Sequence, residues 1–398
     1  MSSKKIDGLR PSTNAARAGR REEWTGAVVN PPVWRASTHI YATEAERKAA
    51  LKSNADGTFF YGRRGAPTQW ALAEALTEIE SGAYGTVLYP SGVAAISGAL
   101  LAVLKPGDVL LVTDNAYDPS RSMATGLLAR LGIEPRFFDP LDIDAFAEMF
   151  CDSTRAVWLE SPGSLTMEVC DIPALAGIAR EQGAVSLIDN TWASSLGFSA
   201  LEHGCDIAVM SLSKHVGGHS DLMMGSASAG ERWYRALRRT AQALGQVVAP
   251  DDAALAARGL RTMKLRLDRS SDSAAKIATW LQSQPQIARV MCPLLPGDAG
   301  HKIWERDFTG GCGLFSFEFA SSAPDIQAKF VDKLDLFGIG YSWGGFESLA
   351  LPIFPEQHRA VMTSTEHAGG SPAIRLSIGL EDPDDLIADL ARALKNLG

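Results

Sequence analysis

The segment Ala208–Asp221 places one amine and two hydroxyl groups directly after a predicted buried strand. The apolar residues from Ile207 to Met210 predict the strand, and Ser211, Ser213 and Lys214 follow it in a loop that contains glycines. Loss of water around a lysine lowers its pKa, so the neutral amine becomes available as a nucleophile and a base. Short hydroxyl donors suit a phosphate. The segment therefore indicates either a Schiff base between Lys214 and pyridoxal 5'-phosphate (PLP), or an ordinary loop in which the lysine has a buried partner.

Two more side chains follow predicted strands and could contact a pyridine ring. Asp189 ends the apolar run that starts at Val185, and Tyr117 follows the run from Val109 to Thr113. A carboxylate at the first position could keep a pyridine nitrogen protonated, which lets the ring accept electrons, or it could cap the next turn. The tyrosine could lie against a planar cofactor or serve as a packing residue.

A phosphate site and a carboxylate site are also indicated. In Tyr89-Pro-Ser-Gly-Val93 a strand runs through a turn into a helix, so Gly92 and Val93 offer free amides and a favourable helix dipole to a phosphate. Arg375 lies inside a predicted apolar strand, where an arginine must be paired or face a ligand. A bidentate clamp on an amino-acid carboxylate and an internal ion pair both satisfy that requirement.

The elements that carry these residues alternate along the chain. From Pro67 onward short apolar runs are separated by helical stretches, which predicts a parallel sheet wrapped by helices. We expect an α/β fold with a large domain at 66–255 and a smaller α+β domain at 256–398. Residues 1–65 have little periodic pattern beyond a helix near Glu44–Leu51, which favours an arm that packs on another subunit. The arm ends in Phe59-Phe-Tyr-Gly-Arg-Arg-Gly65, which is either a solvated basic turn or an anion clamp donated across an interface.

Composition excludes several classes of protein. The 398 residues have a formal net charge of -8 and no basic stripe, so a nucleic-acid partner is not expected. The longest apolar runs are too short for a membrane span, and the N-terminus has no signal-peptide pattern.

Five scattered cysteines are typical of reduced thiols in a cytoplasmic protein. His215 and His219 flank two glycines, which does not match a helical metal pair, so no metal is expected.

Taken together, these residues resemble the Cys/Met-metabolism family of fold-type I PLP enzymes. The matching stretches occur in family order over nearly the whole chain. They are Phe60-Tyr-Gly-Arg-Arg-Gly65, Tyr117-Asp-Pro-Ser120, Phe138-Asp-Pro-Leu141, Glu160-Ser-Pro-Gly-Ser-Leu-Thr-Met-Glu-Val169, Ile188-Asp-Asn-Thr-Trp-Ala193, Ser213-Lys-His, Gly218-His-Ser-Asp221, Gly259-Leu-Arg-Thr262, Phe308-Thr-Gly310, Tyr341-Ser-Trp-Gly-Gly345 and Arg375-Leu-Ser-Ile-Gly-Leu-Glu-Asp382.

The resemblance implies a role for each candidate residue. Lys214 would hold PLP covalently, Asp189 would pair with the pyridine nitrogen, and Tyr117 would stack on the ring and assist catalysis. The phosphate would be held by Ser211, Ser213, Gly92 and Val93, together with Tyr61 and Arg63 of a neighbouring subunit in a homotetramer. The substrate would be bound by Arg375, which takes the α-carboxylate, and by Ser342, Trp343, Tyr61 and Tyr117.

The resemblance also implies a carbon-sulfur lyase that eliminates at Cβ of L-cystathionine or other cysteine S-conjugates, in methionine biosynthesis. Relatives that act at Cγ usually carry other residues at Ser161-Pro-Gly-Ser164 and Ser342-Trp-Gly-Gly345. Gln242 stands where a tyrosine is expected near the far end of the substrate, which leaves the breadth of substrates open. The alternatives are a γ-synthase or methionine γ-lyase of the same family, and a protein that keeps the fold without turnover.

Overall fold

A computed structural model describes residues 8–323, 325–362 and 371–397. Within it the chain forms two compact units, each assembled from segments that are far apart in the sequence. The first unit comprises Met1–Val103, Ser199–Glu202 and Asp206–Lys264, and the second comprises Leu104–Phe198, His203–Cys205 and Leu265–Gly398. The domain boundaries expected from the sequence, 66–255 and 256–398, stay a prediction.

The described residues form strands and helices with the following bounds. The strands are β1 Gly85–Tyr89, β2 Val109–Thr113, β3 Glu134–Phe138, β4 Thr154–Glu160, β5 Val185–Asp189, β6 Ile207–Ser211, β7 Gly225–Ala229, β8 Ile287–Met291, β9 Leu314–Phe319, β10 Gly338–Ile339, β11 Leu349–Ile353 and β12 Ala373–Ser377. The helices are α1 Pro11–Arg17, α2 Glu22–Thr25, α3 Glu44–Lys52, α4 Pro67–Ile79, α5 Gly92–Val103, α6 Asp118–Met123, α7 Ile143–Glu148, α8 Ile172–Glu181, α9 Ser194–Gly197, α10 Glu231–Ala243, α11 Pro250–Leu260, α12 Met263–Gln282, α13 His301–Asp307, α14 Ile326–Val331 and α15 Pro383–Lys395.

The first unit is built on three antiparallel strands. β7 pairs with β1 on one side and with β6 on the other. Helix α5 packs on β6 and β7, and α4 packs on β1. Trp70, Leu72 and Leu76 of α4 are buried, because its apolar residues recur at helical spacing. This framework places the end of β6 close to the start of α5.

The second unit contains the parallel sheet expected from the sequence. β4 pairs with β2 and with β5, β2 also pairs with β3, and all three pairings are parallel. Every residue of β2 is buried, as is typical of parallel strands covered on both faces. The carboxyl ends of β2, β4 and β5 therefore lie at one edge of this sheet.

A separate five-stranded sheet completes the second unit in the order β10-β11-β12-β9-β8. Its strands pair antiparallel except for β10 with β11. Phe315, Phe317 and Phe319 pack with Leu386 and Leu390 of α15 in one hydrophobic cluster. The central strand β12, which carries Arg375, is fully buried.

Three parts of the fold differ from the expectation. The sequence did not predict β7, because Gly-Ser-Ala-Ser-Ala has no large apolar residue, and β7 makes β1 antiparallel to its neighbour rather than parallel. The N-terminal arm contains α1 and α2 in addition to the expected helix. Ala15 and Trp24 of these helices are buried, and Trp24 packs on Trp70 of α4, so part of the arm packs on the first unit of its own chain.

Candidate active site

The Lys214 loop is fixed by its own backbone in the first unit. Ser211 is the last residue of β6, and its carbonyl accepts the Lys214 N–H at 3.2 Å. The Lys214 carbonyl in turn accepts the Gly218 N–H at 2.7 Å. Leu212 and Val216 anchor the loop in the interior, while the lysine itself is half-buried. The loop therefore presents Lys214 at the end of β6, where the sequence placed it.

Ser211 and the N-terminus of α5 form a narrow cradle. A Cβ added to Gly92 would lie 2.9 Å from both Cβ and Oγ of Ser211, so only glycine fits there. The amides of Gly92 and Val93 belong to the first turn of α5, where N–H groups have no partner inside the helix. The hydroxyl and these amides are the donor set that a phosphate requires.

Ser213 makes its closest contacts with the segment before β7. Its hydroxyl accepts the Met224 N–H at 3.0 Å, and its own N–H donates to the Met224 carbonyl at 3.3 Å. These bonds hold the loop to the neighbouring chain segment. Ser213 thus has a structural function in addition to the phosphate contact that the sequence predicts.

Tyr61 and Arg63 lie on the arm, and Arg63 contacts α10. Tyr61 is about half exposed, and Arg63 donates to the Gln242 carbonyl at 2.8 Å. The Gln242 side chain exchanges two hydrogen bonds with Asn54, of 2.8 and 3.1 Å. The side-chain amide of Gln242 therefore links the arm to α10. Gln242 is the residue that stands where a tyrosine is expected near the far end of the substrate.

Four charged or phenolic residues of the second unit lie close together: Tyr117, Glu160, Asp189 and Arg375, here called the Tyr117 cluster. Tyr117 precedes α6, and its N–H donates to Glu160 Oε2 at 2.7 Å. Burial raises the pKa of the Tyr117 phenol, as do the Asp189 and Glu160 carboxylates, whereas Arg375 opposes them. The phenol is therefore neutral near pH 7 and offers a ring face and an O–H donor.

The two carboxyl groups of the cluster end neighbouring parallel strands. Glu160 of β4 is in register with Asp189 of β5. Asp189 Oδ1 accepts the Thr191 N–H at 3.0 Å and is also bonded to the Thr191 hydroxyl. Glu160 was not predicted from the sequence as a site residue. Its place at a strand end, one strand away from Asp189, was the signal that could have identified it.

Arg375 is a buried cation in the middle of β12, with 8% of its surface exposed. Among the described residues, no carboxylate forms an ion pair with it. Burial lowers its pKa, whereas the Tyr117 and Tyr341 phenols raise it, which places both rings near the guanidinium. The described part of the chain thus gives no support to the internal ion pair, and the arrangement favours the carboxylate clamp.

Ser342 and Trp343 occupy a turn between β10 and β11. Ser342 has a φ of 88°, which is uncommon for a residue with a side chain and is often found at binding sites. The Gly344 N–H donates to Ser377 Oγ at 3.3 Å, two residues beyond Arg375. The turn is thereby attached to the strand that carries the arginine.

A second group of polar residues lies near Tyr117 and was also not predicted from the sequence. It consists of Asp114, Arg121, Arg359 and the backbone of 360–362, and we call it the Asp114 latch. The fully buried Asp114 carboxylate accepts N–H bonds of 2.8 to 2.9 Å from residues 360–362, and one of 2.7 Å from Arg121. Arg359 donates to the Asp114 carbonyl at 3.1 Å. Burial alone would raise the pKa of Asp114, but these donors outweigh it and lower the pKa.

Comparison with known proteins gives the family. A model of the "Cys/Met metabolism PLP-dependent enzyme" family matches residues 12–395. The chain belongs to this family. Cystathionine beta-lyase MetC of Escherichia coli (strain K12) is 42% identical over 393 residues, which cover 98% of each chain. Cystathionine gamma-synthase of Mycobacterium bovis is more distant, at 33% identity and 96% coverage of each chain.

A solved structure supports the same fold. A putative O-acetylhomoserine (thiol)-lyase from Campylobacter jejuni, with N'-pyridoxyl-lysine-5'-monophosphate, has a TM-score of 0.89 and 26% identity, and the match covers 98% of this chain and all of the other. The predicted fold class and the PLP cofactor are confirmed by these findings. The cradle of Gly92 and Ser211 fits the phosphate of that cofactor.

The structure thus brings Tyr117, Asp189 and Arg375 together in the second unit and Gly92 and Ser211 together in the first. The individual roles of the site residues stay predictions. Among the described residues, no group of three or more histidine, cysteine or acidic side chains could hold a metal ion. No helix in the part of the chain that the structure describes is long and apolar enough to cross a membrane.

Proposed function

We propose that this member of the family is a cystathionine β-lyase, which converts L-cystathionine and water to homocysteine, pyruvate and ammonia. The observation that carries the proposal is the 42% identity to the Escherichia coli enzyme of that name over 98% of both chains. The residues Ser161-Pro-Gly-Ser164 and Ser342-Trp-Gly-Gly345 support elimination at Cβ rather than Cγ. Other cysteine S-conjugates are further candidate substrates, because Gln242 replaces the expected tyrosine.

Six residues would hold the cofactor. Lys214 would bind the PLP aldehyde, and Ser211, Ser213 and the amides of Gly92 and Val93 would bind its phosphate. Asp189 would keep the pyridine nitrogen protonated, since its hydrogen bonds with Thr191 stabilise its negative charge. When bound, the cofactor withdraws electrons from the substrate Cα and so allows its proton to leave.

The substrate would be oriented by the Tyr117 cluster. Arg375 is preorganised for the α-carboxylate because it is buried without a carboxylate partner among the described residues. Ser342 and Trp343 would line the same pocket, and the neutral Tyr117 would lie against the cofactor ring. Once the substrate amine has released Lys214 from the aldehyde, the freed Lys214 amine would remove the Cα proton. The Cβ–S bond would then break, homocysteine would leave as the thiolate, and water would convert the remaining three-carbon fragment to pyruvate and ammonia.

We further propose a cytoplasmic homotetramer in which Tyr61 and Arg63 complete the phosphate site of a neighbouring subunit. The arm exposes apolar side chains, among them Val28, Val29 and Ile40, and Ile40 has 95% of its surface accessible. Exposed apolar side chains of this kind are typical of a surface that another subunit covers. No disulfide joins the cysteines of the described residues, which supports a reducing compartment.

Product analysis tests the proposal. Purified enzyme with PLP is given L-cystathionine, and Lys214→Ala is compared with Lys302→Ala, which changes an exposed lysine on α13. We expect pyruvate from the wild type and from the control, and a loss of at least about 10³-fold in the Lys214 variant. Formation of 2-oxobutyrate would indicate a γ-lyase. Full activity of Lys214→Ala, or no turnover by the wild type, would refute the proposed function.

A further inference from the structure

Glu160 is a buried carboxyl group to which the proposed reaction gives no role. It has 9% of its surface exposed, and its Oε2 accepts the Tyr117 N–H at 2.7 Å. Buried carboxyl groups are costly, so a glutamate at such a position requires a physical reason.

Glu160 ends the strand that lies between two others that deliver site residues. β4 pairs with β2 on one side, and Tyr117 follows β2 by four residues. On its other side β4 pairs with β5, which ends at Asp189. A side chain at the end of β4 can therefore fix the distance between the Tyr117 turn and the Asp189 strand.

The Tyr117 backbone needs an acceptor at this point. Tyr117 has φ −51° and ψ 132°, so it is outside the helical region and its N–H precedes the hydrogen bonds of α6. A buried N–H without a partner costs about 1–3 kcal/mol. The Glu160 oxygen satisfies the group and fixes the position from which the Tyr117 side chain starts.

We propose that Glu160 is a positioning residue that orients the Tyr117 ring through this backbone hydrogen bond. The inference rests on the proposed function, which places that ring against the cofactor. An apolar residue at 160 would fill the space but would leave the Tyr117 N–H unpaired and the turn free to shift. In this role Glu160 acts through Tyr117 and needs no contact of its own with the substrate or the cofactor.

The charges around Glu160 determine which substitution can replace it. Burial raises its pKa well above the usual value, and the neighbouring Asp189 raises it further, whereas the Tyr117 N–H and the Arg359 guanidinium lower it. A protonated carboxyl accepts the Tyr117 N–H through its carbonyl oxygen. Glutamine presents the same oxygen without a charge, so Glu160→Gln should preserve the orientation of the ring.

The test compares Glu160→Ala with Glu160→Gln in the enzyme loaded with PLP. Its main readouts are the circular dichroism of the cofactor absorption band and the dissociation constant of PLP. We expect Glu160→Ala to weaken PLP binding and to raise KM for L-cystathionine, each roughly tenfold, and to alter the circular dichroism. Glu160→Gln should remain within about twofold of the wild type. Glu318→Ala, at another buried glutamate on β9 whose charged neighbour is Arg289, controls for the loss of a buried carboxyl.

Each result decides the inference. Wild-type circular dichroism and PLP affinity in Glu160→Ala would overturn it, and so would a Glu160→Gln variant as impaired as Glu160→Ala, because the charge would then be the cause. If Glu160→Ala does not fold, Glu160→Asp takes its place, since a side chain shorter by one methylene withdraws the oxygen from the Tyr117 N–H. A wild type that binds no PLP would instead refute the proposed function.

Discussion

The Asp114 latch and the Tyr117 cluster are neighbouring groups of buried charges in the second unit, but their charges are satisfied to different degrees. In the latch, one carboxylate accepts N–H bonds from three successive backbone amides and from Arg121, so its pKa falls despite complete burial. In the cluster, Arg375 has no carboxylate partner among the described residues, and the pKa of Glu160 is raised.

This difference distinguishes buried charges that stabilise the fold from buried charges that are available to bind a ligand. A buried charge surrounded by protein donors has little capacity left for a ligand, and it stabilises the fold when its donors are well placed. A buried charge without a protein partner lowers stability, and a ligand of opposite charge can offset that cost. We therefore expect substitutions in the latch to change the free energy of unfolding, and substitutions in the cluster to change binding and turnover.

The largest effect is expected at Arg375. Arg375→Ala removes the proposed carboxylate clamp, so kcat/KM for L-cystathionine should fall by about 10³-fold, or about 4 kcal/mol. The free energy of unfolding should change by less than about 1 kcal/mol, because no ion pair with a described residue is lost. Steady-state kinetics and urea denaturation measure the two quantities.

Arg375→Lys is the matched variant, since it keeps the charge and loses the planar fork. It should recover part of the activity through a lower KM than that of Arg375→Ala. If Arg375→Ala greatly lowered the free energy of unfolding but changed kcat/KM little, Arg375 would behave like a residue of the Asp114 latch. That result would contradict the proposed difference between the latch and the Tyr117 cluster.

A smaller effect, on stability, is expected at Asp114. Asp114→Asn replaces an acceptor oxygen with an NH2 group that faces N–H donors, so the free energy of unfolding should fall by about 3 kcal/mol. Asp152→Asn, at an exposed aspartate of the same unit, is the control and should change stability by less than about 0.5 kcal/mol. An Asp114 variant as stable as this control would show that the latch does not stabilise the fold.

The smallest effect is expected in the pH dependence of the difference in the free energy of unfolding between the wild type and Asp114→Asn. The pKa of Asp114 in the folded protein lies below the ordinary value of an aspartate, so the carboxylate stabilises the fold at higher pH. The stabilisation is lost as the pH falls through the lowered folded value. The difference in stability between wild type and Asp114→Asn should therefore be constant from about pH 5 to 7 and shrink below about pH 4. Urea denaturation at each pH measures it, and a difference that grows on acidification would contradict the assignment.

Sequence patterns predicted the parts of the fold that depend on apolar periodicity. Strands β2, β5 and β6 and the helix α15 lie where the apolar runs indicated. β7 was missed because its small residues give no such signal, and it is held by pairing with β6 and with β1, which is distant in the sequence.

The candidate site shows the same limit. Lys214, Asp189 and Tyr117 follow strands, so their position was readable from the chain. Glu160 and Asp114 also end or follow strands, but their importance depends on donors that the fold brings from elsewhere. The amides that bind Asp114 come from residues 360–362, about 250 positions away, and no local pattern reports such a contact.

The central claim is that Lys214 carries the PLP aldehyde. Reduction of the holoenzyme with borohydride, followed by digestion and mass spectrometry, tests it directly, because reduction fixes the cofactor to the lysine that holds it. We expect a phosphopyridoxyl group on the peptide containing Lys214 and none on that peptide in Lys214→Ala. A label on a different lysine, or no label in a holoenzyme that turns over L-cystathionine, would contradict it.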